Sequence, residues 1–181
     1  ASVLIVEKMP TIGGNTIKAS AGMNAAETRF QRVKGIEDSK ELFYQETLKG
    51  GHNKNNPQLL RRFVENAPQA IEWLADRGIM LNDITTTGGR RTDRTHRPRD
   101  GSAVGGYLIS GLVRNITKRG IDVLLDTSVE EILMRGDEVS GVRLINDEKE
   151  VIEVQTKSIV VATGGFSATS AMVVKYRPAR D

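Results

Sequence analysis

The hydrophobic period changes once along these 181 residues, and that change limits the fold more than any other feature. Before Gly120 the longer apolar patterns recur every three to four residues, which is helical spacing; after it they alternate, which is strand spacing. Helices are expected over 39–49, 57–77 and 105–119. The second has Asn56 as its cap, Pro57 at its first position, an apolar face of Leu59, Leu60, Phe63, Ile71 and Leu74, and Gly78 as its stop. Strands are expected at 2–6 and then at 121–125, 128–134, 138–146, 150–156 and 158–162, with turns at Asp137 and Asn146-Asp147. The order of strand, helices, a small meander and a last buried strand is an α/β pattern. Residues 88–106 read as one long loop interrupting the helices.

Composition narrows the class. The chain has no cysteine, which removes disulfides, thiolate ligands and cysteine nucleophiles, and a reducing cytoplasm is the default compartment with the periplasm left open. No run approaches the roughly 18 apolar residues of a membrane span. The net charge is +3, and residues 90–99 alone hold five arginines, Arg90, Arg91, Arg94, Arg97 and Arg99. No aromatic residue interleaves with them, so a nucleic-acid interface is not expected; a solvated basic loop is. Arg90 and Arg91 are read as facing solvent, and His52 as part of a surface turn.

The strand at 2–6 ends in Glu7 and leads into Met9-Pro-Thr-Ile-Gly-Gly-Asn-Thr16, rich in turn formers. In dinucleotide folds an acid in this place accepts the two hydroxyl hydrogens of a ribose. The same residues also suit an acid that merely ends a strand at the surface. The glycine fingerprint that accompanies such an acid lies about 20 residues before it, a place upstream of Ala1, so the chain is expected to be the central piece of a larger domain. Residues 20–26 are mostly small and suit a close backbone approach. His96, a lone histidine followed by Arg97 and Pro98, suits either a structural role or a proton shuttle.

Five blocks occur in order: Val3-Leu-Ile-Val-Glu-Lys8, Ile12-Gly-Gly-Asn15, Ala19-Ser-Ala-Gly-Met-Asn-Ala25, Thr95-His-Arg-Pro98 and Ile159-Val-Val-Ala-Thr-Gly-Gly-Phe166. Together they resemble the flavoprotein of the soluble fumarate reductases and flavocytochromes, within the succinate dehydrogenase superfamily. The resemblance implies a partial FAD-binding, Rossmann-like doubly wound domain over residues 1–181 with a small antiparallel β-meander, the phosphate-binding βα unit and the capping domain lying outside the chain. It implies FAD as cofactor, no metal, and hydride transfer from reduced FAD to an α,β-unsaturated dicarboxylate; the piece alone is expected to be inactive. The electron donor is open among NADH, another flavin and a haem domain. A urocanate reductase, L-aspartate oxidase or ketosteroid dehydrogenase, or a non-catalytic nucleotide-binding fragment, are the alternatives.

Residue by residue, the resemblance puts Glu7 on the adenosine ribose, Lys8 beside adenine, and Gly13, Gly14 and Asn15 along the pyrophosphate and ribityl chain. Ala19, Ser20, Gly22, Met23 and Asn24 would line the isoalloxazine ring; Val129 would meet adenine through its main chain, and Thr163, Gly164 and Gly165 would end the last strand near adenosine. His96 would support the flavin segment, and no catalytic residue is assignable.

Overall fold

A computed structural model describes residues 2–86, 88, 91–165 and 169–176. Their contacts divide the chain into two compact units, one from residues 1–5 and 11–123 and one from 6–10 and 124–181. Strand β1 (Leu4–Val6) pairs with β5 (Asp122–Leu124) in a two-stranded sheet.

The first unit is built on helices. After a single 3-10 turn at Thr16–Lys18 and the short strand β2 (Met23–Asn24) come α1 (Arg29–Val33), α2 (Lys40–Gly50) and α3 (Pro57–Ala75). Each helix starts where the sequence offers an oxygen to its orphan N–H groups. Thr28 and Gln31 form a reciprocal capping box on α1, Ser39 accepts from Leu42 N, and Asn56 accepts from Gln58 N and Leu59 N. Helix α3 ends before Gly78, whose φ of +73° lets the chain reverse. Its inner face supplies Leu60, Val64, Ala67, Ile71 and Leu74, which pack with Ala25, Ala26, Phe43, Ile79, Leu81, Val104 and Leu108 into one core. On its outer face Arg77 stacks over the Trp73 ring at 3.8 Å, leaving the indole half exposed. Strands β3 (Asp83–Thr85) and β4 (Thr95–Arg97) follow, then α4 (Val104–Lys118). The sheet order is β2-β4-β3, antiparallel throughout. Helix α4 starts against the 3-10 turn, with Gly105 N donating to Ala19 O at 2.9 Å.

The second unit is dominated by the meander β6 (Thr127–Arg135), β7 (Glu138–Asn146) and β8 (Val151–Gln155), in that spatial order. Across it Arg143 pairs with Glu131 on one side and with Glu153 on the other, at 3.0 Å. The opposite pleat row carries Val142 and Leu144, both buried. A last helix, α5, spans Ser170–Tyr176.

Three expectations need correction. The strand expected at 158–162 does not form: among the described residues no strand pairs with that apolar run, and Val160 and Val161 are 89% and 70% exposed. The loop expected over 88–106 contains β4, the central strand of its sheet. And the basic stretch is not all solvated, since Arg94 is fully buried. Arg91 is exposed as expected, whereas Arg90 lies outside the described residues. His52 sits in an exposed turn with φ +52°. The mixed α/β class and the antiparallel meander stand as expected.

Candidate functional site

In the first unit the candidate residues lie on a turn and a strand pinned by long-range bonds. Gly13 and Gly14 have φ of +133° and +49°, a reversal that side chains resist, and Asn15 precedes the 3-10 turn. Gly14, Asn15, Ala19 and Ser20 are exposed. At Gly22 a Cβ would stand 2.6 Å from His96 O and 2.7 Å from Thr95 Cγ2, so only glycine lets the backbone lie this close to β4. Strand β2 then pairs Met23 with His96 and Asn24 with Thr95.

That register separates Met23 and Asn24. Neighbours on a strand face opposite ways, and the Met23 side chain packs against the helical core. Asn24 shares a face with its cross-strand partner Thr95, whose hydroxyl donates to Asn24 Oδ1 at 2.7 Å. The same face takes Thr85, paired with Thr95, and Arg97. Here lie polar atoms that, among the described residues, are buried without a hydrogen-bond partner, Thr85 Oγ1 and Arg97 Nε. An orphaned donor in a folded chain calls for a group to meet it.

His96 faces the other way and is fully buried. Its Nδ1 stands 2.9 Å from Arg94 O, which only accepts, so Nδ1 carries the proton and Nε2 accepts from the Thr28 hydroxyl at 2.8 Å. Burial holds its pKa below the ordinary value, while backbone hydrogen bonds at Arg94 and Met23 act in the opposite sense. This neutral imidazole joins β4 to the cap of α1.

Arg94 was not singled out by the sequence. Its guanidinium pairs with Asp38 at 2.8 Å and Glu46 at 3.1 Å and lies over the Phe43 ring at 4.8 Å. Gln31 Nε2 bridges Asp38 Oδ2 and Asp93 O, at 3.0 and 2.9 Å. Ala25 N donates to Arg94 O at 3.0 Å, which ties this buried cluster to the segment after β2. Only an acid count at spacings of 56 and 48 residues would have hinted at it.

In the second unit residues 7–9 bond to residues 124–127, which lead into β6, the strand that carries Val129. Glu7 N donates to Leu124 O at 2.8 Å, Thr127 N to Glu7 O at 3.1 Å and Asp126 N to Met9 O at 3.2 Å. The Glu7 carboxylate is half-buried and accepts from Met9 N through Oε1 at 2.9 Å, leaving Oε2 to accept elsewhere. Lys8 lines an open cleft of about 200 Å³ with Asp126, Ser128, Glu130, Ile145, Asn146, Asp147 and Lys149. Val129 is half exposed on β6, an edge strand of its sheet, beside a bulge at Glu130. Thr163, Gly164 and Gly165 are exposed and outside regular structure, Gly164 with φ +77°. A second cleft of about 350 Å³, lined by Phe30, Val33, Lys34, Asn82, Asp83 and Arg99, holds none of the candidate residues.

Taken unit by unit, these residues fit FAD: a carboxylate with an oxygen to spare suits a ribose diol, a glycine turn bares backbone to phosphate, and a face with orphaned donors suits a ring edged with acceptors. Among the described residues no group of three or more His, Asp or Glu side chains could hold a metal, and no helix is long and apolar enough to cross a membrane.

Several known proteins resemble this chain. A protein named NADH:fumarate oxidoreductase from Klebsiella pneumoniae (strain 342) is 95% identical over 181 residues, which is 100% of this chain and 20% of that protein. A fumarate reductase (cytochrome) of Shewanella frigidimarina is 37% identical over 180 residues, covering 98% of this chain and 31% of its own length. The open conformation of a flavocytochrome c3 fumarate reductase superposes with a TM-score of 0.86 at 34% identity, over 97% of this chain and 31% of that one. The chain thus spans about a fifth to a third of the relatives it matches. The profile of the FAD binding domain family matches residues 1–180, and the chain belongs to that family.

Proposed function

We propose that this chain is the FAD-holding part of a reductase that saturates the double bond of an α,β-unsaturated dicarboxylate, with NADH as the electron source. The single observation that carries the reading is the 95% identity, along the whole chain, to a protein named for NADH and fumarate. A donor of that kind suits a cytoplasmic location. The remainder of the FAD-binding domain, including its phosphate-binding βα unit, and the domain that caps the substrate belong in this reading to other parts of a longer protein, as the coverage of the relatives supports.

Bound FAD supplies the hydride for such a reduction. The work of this chain is to bind and orient it. In this reading Glu7 accepts the ribose hydroxyls through its unoccupied Oε2, with Lys8 and the Val129 main chain beside the adenine. The backbone of Gly13, Gly14 and Asn15 meets the pyrophosphate and ribityl chain. Ala19, Ser20, Gly22 and Asn24 present a small, close surface to the ring, while Met23 contributes main chain because its side chain belongs to the core. Thr163, Gly164 and Gly165 approach the adenosine half.

The test is a titration of the purified protein with FAD, followed by gel filtration with protein and flavin absorbance read in one peak. Near one-to-one co-elution is expected. Glu7→Ala is expected to weaken FAD roughly tenfold or more, the weight of a charge-assisted hydrogen bond. Equal affinity in the variant would remove Glu7 from the site. The intact protein with NADH is expected to reduce fumarate, and failure to do so while FAD is bound would overturn the substrate assignment.

A further inference from the structure

We propose that Thr95 is a positioning residue for the flavin: its hydroxyl fixes the amide of Asn24 so that Nδ2, a donor, is the atom offered to the ring. The inference rests on the reading above, in which Asn24 meets the flavin, and goes further by assigning Thr95 a role and Asn24 a polarity.

Asn24 and Thr95 are direct cross-strand partners, so their side chains stand side by side on one face. Gly22 makes the approach close, since a side chain there would push the preceding backbone off Thr95 and His96. An asparagine amide carries an acceptor at one end and donors at the other, and its two orientations are almost isosteric. What selects between them is a neighbour. Thr95 donates to Asn24 Oδ1 at 2.7 Å and is almost wholly buried, so its geometry is set by the sheet and not by solvent. With Oδ1 held, Nδ2 and its two hydrogens turn away from Thr95. Two further groups that can donate lie on this face: among the described residues Arg97 Nε and the Thr85 hydroxyl, next in the cross-strand row, are buried without a partner, while the acceptor Asp83, opposite Arg97, is paired with Lys34 at 3.6 Å. The edge of oxidised flavin that carries O4 and N5 accepts hydrogen bonds. Asn24 Nδ2, Arg97 Nε and the Thr85 hydroxyl can donate to that edge, and an Asn24 turned the other way would set an acceptor against it.

The test is a double-mutant cycle on the intact protein, with FAD dissociation constant and the visible absorption band of bound flavin as readouts. Thr95→Val keeps shape and removes the hydroxyl; Thr95→Ser restores it. Thr95→Val is expected to weaken FAD roughly fivefold to tenfold and to shift the flavin band, Thr95→Ser to recover both, and Thr95→Val to add nothing in an Asn24→Ala background. A purely structural Thr95 would weaken FAD equally with or without Asn24, and that result overturns the proposal. Should Thr95→Val fail to fold, Asn24→Asp serves: it still accepts from Thr95 but offers no donor, so it must bind FAD at least as poorly as Asn24→Ala, and wild-type binding by Asn24→Asp overturns the proposal. Unchanged affinity in Asn24→Ala would instead strike the underlying reading, by removing Asn24 from the flavin site. Weakened binding in Asn24→Ala beside wild-type binding in Thr95→Val would strike the role of Thr95 alone.

Discussion

His96 is buried in its neutral form, one nitrogen donating to Arg94 O and the other accepting from Thr28. Burial lowers its folded pKa below the ordinary 6.5, with the more distant charges of Glu72 and Lys34 acting in opposite senses. Below pH 6.5 the unfolded chain takes up a proton that the folded chain refuses, so the imidazole's stability contribution is complete above about 6.5 and is lost as pH falls towards the folded value. Urea unfolding of the wild type is therefore expected to show stability falling as the pH drops below 6.5, with a slope of up to about 1.4 kcal/mol per pH unit from this one group. His96→Gln should flatten that fall. Identical pH profiles would mean that the imidazole is protonated in the fold. The sequence offered His96 as structural or as a shuttle, and no local pattern shows its bond to Thr28, 68 residues away.

Among elements, the ones with local signals were legible and the ones made by distant pairing were not. Helix α3 was readable from Asn56-Pro57 at one end and Gly78 at the other, and β6 to β8 from alternation broken at Asp137 and Asn146. Strands β2, β3 and β4 have two or three residues each, too few for a period, and β2 finds β4 across some 70 residues of chain. The site shows the same division. Gly13, Gly14 and Gly22 were visible as small residues in the right blocks, whereas the opposite facing of Met23 and Asn24 follows from a register no local pattern encodes. What holds that small sheet against the helices is the Arg94 cluster. Replacing Arg94 with Met leaves Asp38 fully buried, and Glu46 mostly so, without a counter-charge. The expected loss is about 3–5 kcal/mol in urea unfolding, and a loss under about 1 kcal/mol would show the acids rearranging to reach water or protons.

At the scale of the molecule, the apolar run that was expected to be a buried strand is instead open to solvent. Val160 and Val161 are β-branched, adjacent and largely exposed, the kind of segment that pairs with its copy in another molecule. Val160→Lys is expected to raise the concentration at which the isolated chain begins to scatter light, with unchanged far-ultraviolet circular dichroism. Unaltered scattering would place the association elsewhere. The run reads as buried because parallel strands covered on both faces are apolar throughout; the sequence carries the pattern for that environment whether or not the chain itself provides it.

Trp73 is the sole tryptophan and belongs to α3, half exposed beneath the Arg77 guanidinium. That gives the helical unit an optical signature of its own. Indole emission follows α3 leaving its core and is silent about the meander, whose β6, β7 and β8 contain no aromatic residue at all. Denaturation recorded by indole emission and by backbone dichroism together thus sets the unfolding around α3 against that of the whole chain: superimposed curves mean a single cooperative melt, and displaced curves mean that parts of the chain come apart separately.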